Sequence, residues 1–317
     1  MILSNDRRDT SAVLMHSPGD VRVDRVGLRA LGDGDVLVRV THSGISSGTE
    51  RMLWDGTMPA FPGLSYPLVP GYEAVGIIER SENEGLCVGQ AVFVPGAQCH
   101  EGAAGLFGAS SQYLAAPGQR VVPVDTEWEA EATLLALAAT AYHAVTRASE
   151  APDLIVGHGV LGRLIARVSI ALGNPAPTVW ERSVSRRKAD GYHVVAEGDD
   201  DRHDYTSIID ASGDNTVLDR LIARCTKGGE VVLAGFYGAP ISFAFPVAFM
   251  REATIRVSAE FTSIDTAAAV ELVRSGKLSL SGLLTHAMPF TEAANAYATA
   301  FGDPECLKMI LDWSDAR

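Results

Sequence analysis

The sequence has few cysteines and no long uninterrupted apolar run. Its four cysteines, at positions 87, 99, 225 and 306, form no CxxC pair and no disulfide framework. This scarcity favours a reducing compartment, so we expect a cytoplasmic protein. The most apolar windows, near residues 133–145 and 154–172, are interrupted by histidine and arginine. Neither window therefore predicts a membrane span.

The chain also lacks an excess of basic residues. It carries 26 Lys and Arg against 39 Asp and Glu, a net charge of −13 at pH 7. Nucleic acids and anionic membranes bind basic patches, so neither is an expected partner. The polar beginning of the sequence predicts no secretion signal. Of the 317 residues, 47% are hydrophobic; this is enough for a globular core, and the length favours two domains.

The order of predicted elements divides the sequence into a β-rich part and an α/β part. Residues 1–125 contain short strands between glycine, proline and acidic turns, which predicts a partly open β-barrel. Residues 126–284 alternate strands with helices on short links, which predicts a doubly wound parallel sheet. The tail, 285–317, is expected to return to the β-rich domain. The predicted fold class is therefore α/β.

Individual elements follow from hydrophobic periodicity and turn residues. We expect the apolar segment Met52–Tyr66 to be a loop, because it is rich in glycine and proline. The predicted helices are Glu129–Thr146, Leu161–Leu172, Ser183–Asp190, Thr216–Thr226, Thr266–Ser275 and Thr291–Phe301.

A glycine motif in the α/β part predicts a dinucleotide site. The apolar run 154–156 enters a GxGxxG turn, and an amphipathic stretch follows it. In such a turn the first glycine permits the tight bend, the second lets backbone approach a pyrophosphate, and the third lets helix pack on strand. The pyrophosphate would lie on the helix N-terminus. The residues of this turn expected at the cofactor are Gly157, His158, Gly159, Val160, Leu161 and Gly162.

An acid at the end of the next apolar run favours NAD. Glu181 lies about twenty residues beyond the turn, where a carboxylate accepts the ribose hydroxyls. It would repel a 2′-phosphate. Arg182 follows directly and is suited either to stacking on adenine or to binding such a phosphate, so NADP stays open. The His158 side chain is expected to face the diphosphate or solvent. The alternative to a cofactor site is an ordinary glycine turn between strand and helix.

Ligands in a doubly wound sheet lie beyond the carboxyl ends of the strands. Two further strand ends are therefore expected to contact the cofactor, the first near a ribose and the second near the carboxamide. They comprise Ser212 and Gly213, and Gly235, Phe236 and Tyr237.

This arrangement resembles the medium-chain dehydrogenase/reductase superfamily over nearly the whole chain. The resemblance implies a GroES-like first domain, a Rossmann NAD-binding domain and oxidation of an alcohol. It is closer still to a branch that oxidises a hydroxyethyl side chain of a tetrapyrrole in bacteriochlorophyll synthesis, and it suggests a homodimer as the superfamily default. The segments that carry it are Gly44–Arg51, Tyr66–Glu73, Val156–Arg163, Leu233–Tyr237, Phe243–Glu252 and Asp303–Met309.

The chain departs from the zinc-dependent members of that superfamily. Their catalytic cysteine and histidine correspond here to Ser46 and Tyr72, while the following acid, Glu73, is kept. A hydroxyl and a phenol are poor replacements for thiolate and imidazole. Cys99 stands alone where other members have a four-cysteine loop. We therefore predict no catalytic and no structural zinc.

Superposing the superfamily pattern groups the catalytic candidates around the former zinc position. Tyr72 is expected to bind the substrate oxygen, with Ser46 or Thr49 as a proton relay. Glu73 is expected to orient them, to hold a water, or simply to pair with a neighbour such as Arg51. Tyr72 as a packed core aromatic is the alternative.

Other candidates come from the resemblance and from composition. Thr140 fits the position that touches nicotinamide, and His143 on the same predicted helix is either a base or a packed residue. Lys308 either reaches the cofactor cleft or is a surface cation. Three aromatics are expected to line a cleft for a flat macrocycle, with interface packing as the alternative: Trp54, Phe61 and Phe107.

Three functions are consistent with these patterns. The first is a zinc-free, NAD-dependent dehydrogenase acting on a hydroxyethyl tetrapyrrole. The second is an enone or quinone reductase of the same superfamily, which Glu181 disfavours because such reductases generally use NADPH. The third is a non-catalytic nucleotide- or pigment-binding protein, against which the complete glycine turn argues.

Overall fold

The structure is a computed structural model that describes residues 9–60, 62–189 and 191–316. The chain folds into two compact units. The first unit comprises the residues up to Ala136 and those from Ser281 onward, and the second is Leu137–Leu280. No described helix has both the length and the apolar character needed to span a lipid bilayer.

The first part of the chain is mostly strand. In order, its elements are β1 (Asp9–Ser17), β2 (Asp20–Leu28), β3 (Asp35–Ile45), α1 (Thr49–Asp55), β4 (Ala74–Ser81), β5 (Ala91–Val94), β6 (His100–Glu101), β7 (Tyr113–Pro117) and β8 (Val122–Pro123).

The middle of the chain alternates helix and strand. Its elements are α2 (Leu135–Arg147), β9 (Leu154–Val156), α3 (Val160–Ala171), β10 (Thr178–Trp180), β11 (His193–Val195), β12 (Tyr205–Asp210), α4 (Leu218–Arg224), β13 (Cys225–Leu233), α5 (Phe245–Arg251), β14 (Thr254–Val257) and α6 (Ser263–Arg274). The tail adds β15 (His286–Pro289), α7 (Ala293–Gly302) and β16 (Met309–Asp312).

The first unit contains two sheets. The larger has the order β15-β16-β3-β4-β5-β8, with β7 also paired to β3, and the smaller has the order β1-β2-β6. Apolar side chains that alternate along β3 are fully buried, namely Val36, Val38 and Val40. They form the core of this unit together with Trp313 of the tail, whose indole N–H donates to Ser43 Oγ at 2.9 Å.

Strand register places two later segments beside one end of β3. β4 runs antiparallel to β3 with Ala74 opposite Ser43. On the other side of β3, β16 runs antiparallel with Met309 opposite Ile45. The residue before β4 and the residue before β16 therefore meet near Gly44, although they lie far apart in sequence.

The second unit is a six-stranded sheet with the order β11-β10-β9-β12-β13-β14, and all its strand pairs are parallel. Parallel strands put their carboxyl ends on one edge, with the switch in strand order between β9 and β12. The expected α/β fold class, with a β-rich part and a doubly wound sheet, is confirmed.

Several predicted elements differ in the structure. The expected loop after β3 contains a short helix, α1, and the expected helix from Glu129 begins as 3₁₀ turns, Thr126–Leu134, before α2. The predicted helix from Ser183 is wrong: its described part contains one 3₁₀ turn, Val184–Arg186. Its last residue, Asp190, lies outside the described residues.

Candidate active site

Two glycines of the GxGxxG turn are required by its shape. Gly157 follows β9 with φ of +93°, a left-handed conformation that favours glycine. A Cβ at Gly162 would overlap the carbonyl oxygen of Gly157, so only glycine lets α3 pack this closely on the turn. Both roles agree with those expected from the sequence.

The second glycine leaves room for a ligand. A Cβ at Gly159 would meet no atom within 4 Å. Gly159 is also the N-cap of α3 and has no side chain to bond the first-turn amides. These N–H groups at the positive end of a helix that begins at Val160 suit a pyrophosphate. The residues of the turn, with Leu161 in the first turn of α3, therefore fit a dinucleotide.

Glu181 is held beside the turn by backbone amides. Its Oε2 accepts from the His158 N–H at 3.0 Å, and its Oε1 accepts from the Ser183 N–H at 2.8 Å. Each carboxylate oxygen keeps a second lone pair, so the carboxylate is oriented but still able to accept hydroxyls. Arg182 is exposed beside it.

The His158 side chain does not face a diphosphate or solvent, and this expectation is wrong. It is fully buried, with Nδ1 2.6 Å from the Arg186 carbonyl oxygen and Nε2 2.8 Å from the Tyr192 hydroxyl. Because a carbonyl only accepts, Nδ1 carries the hydrogen and Nε2 accepts from Tyr192. Burial lowers the pKa of His158 to about 4. The neutral ring thus ties the loop after β10 to the turn, and any cofactor contact falls to its backbone.

The expected strand-end residues are brought together at the carboxyl edge of the sheet. Asp210, the last residue of β12, accepts from the Ser212 N–H at 2.9 Å and from the Tyr237 hydroxyl at 2.7 Å. Burial raises the pKa of this carboxyl. A Cβ at Gly235 would lie 3.1 Å from the backbone nitrogen of Gly213. Asp210 therefore fixes the two loops, while the neighbouring Phe236 is 43% exposed.

Two candidates lie on α2. Thr140 is partly buried there. Nδ1 of His143 lies 2.9 Å from Asp265 Oδ2, and Asp265 forms the capping box of α6 with Thr262. This contact gives His143 a structural role in the second unit. Its use as a base stays a prediction, as does contact of Thr140 with nicotinamide.

Three hydroxyls meet in the first unit. The Tyr72 hydroxyl donates to Ser46 Oγ at 2.7 Å, and the Thr49 hydroxyl lies 3.2 Å from Ser46 Oγ and 3.4 Å from the Tyr72 oxygen. Ser46 is buried, whereas Thr49 and Tyr72 are partly exposed. Burial, followed by the negative charge of Glu73, raises the pKa of Tyr72 far above its usual value. We call Ser46, Thr49 and Tyr72 the hydroxyl cluster.

Directly beside the cluster, Glu73 and Lys308 form a buried ion pair. Both are almost inaccessible, and the Lys308 ammonium contacts Glu73 Oε2. Burial raises the pKa of Glu73, and Lys308 lowers it. A Cβ at Gly44 would overlap Glu73 Oε2, so glycine makes the approach possible. Pairing of Glu73 with Arg51 is wrong, as is a surface position for Lys308; contact of Lys308 with a cofactor stays a prediction.

This group of side chains does not fit a zinc ion. Neutral hydroxyls and a phenol of raised pKa stand where a thiolate and an imidazole would bind zinc, and the Glu73 carboxylate is paired with an ammonium. Across the described residues, no cluster of three histidine, cysteine or acidic side chains is arranged to hold a metal ion.

The aromatic candidates lie in different surroundings. The ring of Phe107 meets that of Tyr72 edge-on with centroids 5.2 Å apart, so it borders the hydroxyl cluster. Trp54 on α1 packs against Phe301 on α7, with centroids 5.5 Å apart. Phe61 lies outside the described residues.

Sequence reasoning missed three buried polar residues that support these sites: Glu50, Asp210 and Tyr297. Glu50 Oε1 accepts from the Ser46 N–H at 3.1 Å, and its Oε2 accepts from the Tyr297 hydroxyl at 2.5 Å. Asp210 ends an apolar strand, which is a usable signal for a site residue at a sheet edge. The distant Glu50–Tyr297 partnership has no signal in one sequence.

Comparison with known proteins gives a consistent family. Residues 32–126 match the alcohol dehydrogenase GroES-like domain. The chain is 51% identical over 312 residues to a 2-desacetyl-2-hydroxyethyl bacteriochlorophyllide A dehydrogenase of Cereibacter sphaeroides, covering 96% of this chain and 98% of the relative. It is 50% identical over 313 residues to the protein of the same name in Rhodobacter capsulatus, covering 98% of this chain and 100% of the relative.

Solved structures share the fold at lower identity. L-idonate 5-dehydrogenase of Escherichia coli superposes with a TM-score of 0.85 at 22% identity, covering 96% of this chain and 98% of that one. A putative zinc-binding dehydrogenase of Sinorhizobium meliloti bound to NADP gives 0.81 at 18%, covering 96% and 99%. A short chain alcohol dehydrogenase of Escherichia coli complexed with NADH gives 0.80 at 20%, also covering 96% and 99%.

Proposed function

This chain belongs to the medium-chain dehydrogenase/reductase superfamily and, within it, to the family of the two bacteriochlorophyllide dehydrogenases; from that premise we propose that it oxidises the hydroxyethyl group of bacteriochlorophyllide a, or of its chlorophyllide equivalent, to acetyl with NAD and without zinc. It is an oxidoreductase acting on a CH–OH group, and its cofactor is a nicotinamide nucleotide.

The observation that carries the proposal is the hydroxyl cluster. Ser46 Oγ accepts from both Tyr72 and Thr49. Ser46 is therefore the shared acceptor of the cluster, and it is the group that would bind the substrate oxygen. The raised pKa of Tyr72 keeps the phenol protonated, so Tyr72 serves as a relay and not as a tyrosinate base.

Oxidation removes a hydride from the carbinol carbon and a proton from its hydroxyl. When bound, the nicotinamide ring accepts the hydride. In the proposed proton path the hydroxyls first rotate outward, so that Ser46 donates to Tyr72, Tyr72 to Thr49 and Thr49 to water. Ser46 Oγ then takes the substrate proton while its own hydrogen passes to Tyr72, the Tyr72 hydrogen passes to Thr49, and Thr49, which is partly exposed, gives its hydrogen to water. After the transfer the hydrogen bonds point inward, the direction in which Tyr72 and Thr49 donate in the structure, and no group of the cluster needs to hold a charge.

The cofactor preference rests on Glu181. Its carboxylate is held toward the glycine turn by two backbone amides and retains lone pairs for ribose hydroxyls. A 2′-phosphate there would face a negative charge, so we propose NAD over NADP. A kcat/KM for NADP equal to that for NAD would overturn this preference. Glu181→Gln should narrow the difference in kcat/KM between the two cofactors.

The absence of a zinc requirement is compatible with the substrate chemistry. A zinc ion stabilises the alkoxide by several kcal/mol. A carbinol attached to a conjugated macrocycle can instead spread positive charge as hydride leaves, which lowers the demand for an alkoxide. Faster turnover of the tetrapyrrole alcohol than of a simple aliphatic alcohol would support this, and equal rates would refute it.

The central experiment mixes purified protein with the hydroxyethyl pigment and NAD and follows the long-wavelength pigment band together with NADH. Wild type should form the acetyl product. Ser46→Ala and Tyr72→Phe should lower kcat about 10²-fold or more, the range of a lost proton-transfer group. Ser47→Ala is the matched control, because Ser47 is the exposed neighbour of Ser46.

The same assay separates the alternatives. Reduction of an enone by NADPH without pigment oxidation would indicate the reductase, and pigment or NAD binding without turnover would indicate a binding protein. Metal analysis of active protein tests the zinc proposal: stoichiometric zinc whose removal abolishes turnover would refute it.

We further propose a cytoplasmic homodimer. All four cysteines are free thiols. Among the described strands β14 ends the parallel sheet, and nearby α5 exposes Phe245, Phe249 and Met250 at 67%, 65% and 71%. Light scattering would test the oligomeric state, and a monomer at micromolar concentration would contradict it.

A further inference from the structure

The carboxylate of Glu50 is buried, and no basic side chain among the described residues forms an ion pair with it. Its two oxygens are occupied by the Ser46 N–H at 3.1 Å and the Tyr297 hydroxyl at 2.5 Å, and the residue is fully inaccessible. Burying a carboxylate costs free energy that a leucine would not incur. Stability alone therefore gives no reason for an acid at this position.

What Glu50 holds is the segment that carries two hydroxyls of the cluster. Ser46 directly follows β3, and after a two-residue turn Thr49 and Glu50 begin α1. The Ser46 N–H bond reaches back across this turn, so it fixes the backbone that aims Ser46 Oγ at Tyr72. The bond from Glu50 to the Ser46 backbone thus sets the direction of the Ser46 hydroxyl without contact between Glu50 and the substrate.

The other end of the link is the C-terminal helix. Tyr297 lies on α7 and is fully buried. On the same helix, Phe301 contacts the Tyr297 ring edge-on at 5.7 Å and packs against Trp54 of α1 at 5.5 Å. Helix α7 thus holds α1 at two places: a hydrogen bond to Glu50 in the first turn of α1, and aromatic packing on Trp54 in the last turn of α1.

We propose that Glu50 and Tyr297 are positioning residues of the dehydrogenase: through them α7 fixes the Ser46 hydroxyl in line with Tyr72. This inference rests on the proposed function, because it assigns the reaction to the hydroxyl cluster. Neither residue exchanges a proton with substrate, so their loss should affect the chemical step and spare cofactor binding.

The test compares Tyr297→Phe, Glu50→Leu and Glu50→Gln with wild type. Glutamine keeps an acceptor for the Ser46 N–H and a donor for Tyr297, so it should retain most activity. Tyr297→Phe and Glu50→Leu should lower kcat about 10- to 100-fold, as a misplaced catalytic group does. The dissociation constant for NAD should be unchanged. Asn295→Ala, an exposed position on α7, is the matched control.

A second measurement does not depend on turnover. Hydrogen exchange of peptides spanning Gly44–Met52 should be faster in Glu50→Leu than in Glu50→Gln, with urea melts showing that both are folded. Unchanged kcat and unchanged exchange in the leucine variant would overturn the inference. If wild type itself fails to oxidise the pigment, the proposed function fails instead, and the exchange result still decides whether Glu50 holds this segment.

Discussion

Replacing Glu50 by glutamine removes a buried ionisable group and keeps its shape. Burial raises the pKa of Glu50 from 4.5 to about 7; Glu73 adds to this rise, while the Tyr297 and Ser46 hydrogen bonds and the charge of Lys308 reduce it. The folded protein therefore binds the Glu50 proton more tightly than the unfolded chain does. Stability should consequently fall as pH rises between these two values.

The sign and size follow from the two protonation states. Below pH 4.5 the carboxyl is protonated in both states and contributes no pH dependence. Above pH 7 it is ionised in both, and the folded state carries the full desolvation penalty. At about 1.4 kcal/mol per pH unit the full difference is about 3 kcal/mol, most of it between pH 5 and 8. Glutamine has no such penalty.

Urea unfolding of wild type and Glu50→Gln at pH 5 and pH 8 measures this difference. The advantage of the glutamine variant should grow by about 2 to 3 kcal/mol toward pH 8. Titrating groups that do not interact with Glu50 are common to both proteins and cancel. Parallel stability curves would refute the reasoning, because they would mean that Glu50 ionises in the fold as it does in water.

Other predictions address the cofactor turn and the ion pair. Gly162→Ala should abolish NAD binding. Gly159→Ala should leave the free energy of unfolding within about 1 kcal/mol of wild type and weaken NAD binding in calorimetry. Equal effects of the two substitutions on NAD binding would contradict the assigned roles. Lys308→Met should cost about 3–5 kcal/mol in urea unfolding by leaving a buried charge unpaired, and adding Glu73→Gln should recover most of it. His158→Ala should speed hydrogen exchange in the loop after β10, and unchanged exchange would show that the imidazole does not hold that loop.

The fold was largely predictable because its strongest signals are local. An apolar strand, a glycine turn and an amphipathic helix identify the start of the parallel sheet, and Gly157 and Gly162 have the geometry that the pattern requires. Helix α1 was missed because it has seven residues between two glycines, and its order depends on tertiary contacts of Leu53 and Trp54. Helix α5 was also not among the predicted helices, although Pro246 at its start was a usable signal for a helix N-terminus.

The predicted helix from Ser183 failed for a different reason. Helix propensity ignores what the backbone contacts elsewhere. The carbonyl of Arg186 accepts from the His158 and Arg163 side chains, and Arg187 Nε donates to the Glu181 carbonyl. The Arg186 carbonyl is therefore used by tertiary bonds and not by the internal pairing that a helix would give it, and the Arg187 side chain holds the segment against the end of β10.

The same difference between local signals and distant contacts applies to the candidate site. Positional comparison grouped Ser46, Thr49 and Tyr72, and the structure brings these three together. The partners of the buried acids were not foreseeable, because Lys308 and Tyr297 come from the distant tail. A single sequence shows periodicity and spacing, but it does not show which distant side chain pairs with a buried acid.

The position of the tail strand sets an order for biosynthesis. β16 pairs with β3, so a nascent chain exposes the first strands and the whole parallel sheet before the ribosome releases the segment that closes the first unit. Until then the end of β3 near Ile45 has an open edge, and the acids at 50 and 73 lack their tail partners. Domains generally mature in the order of translation; here the amino-terminal unit is completed last, which makes the unfinished chain a natural client for a chaperone.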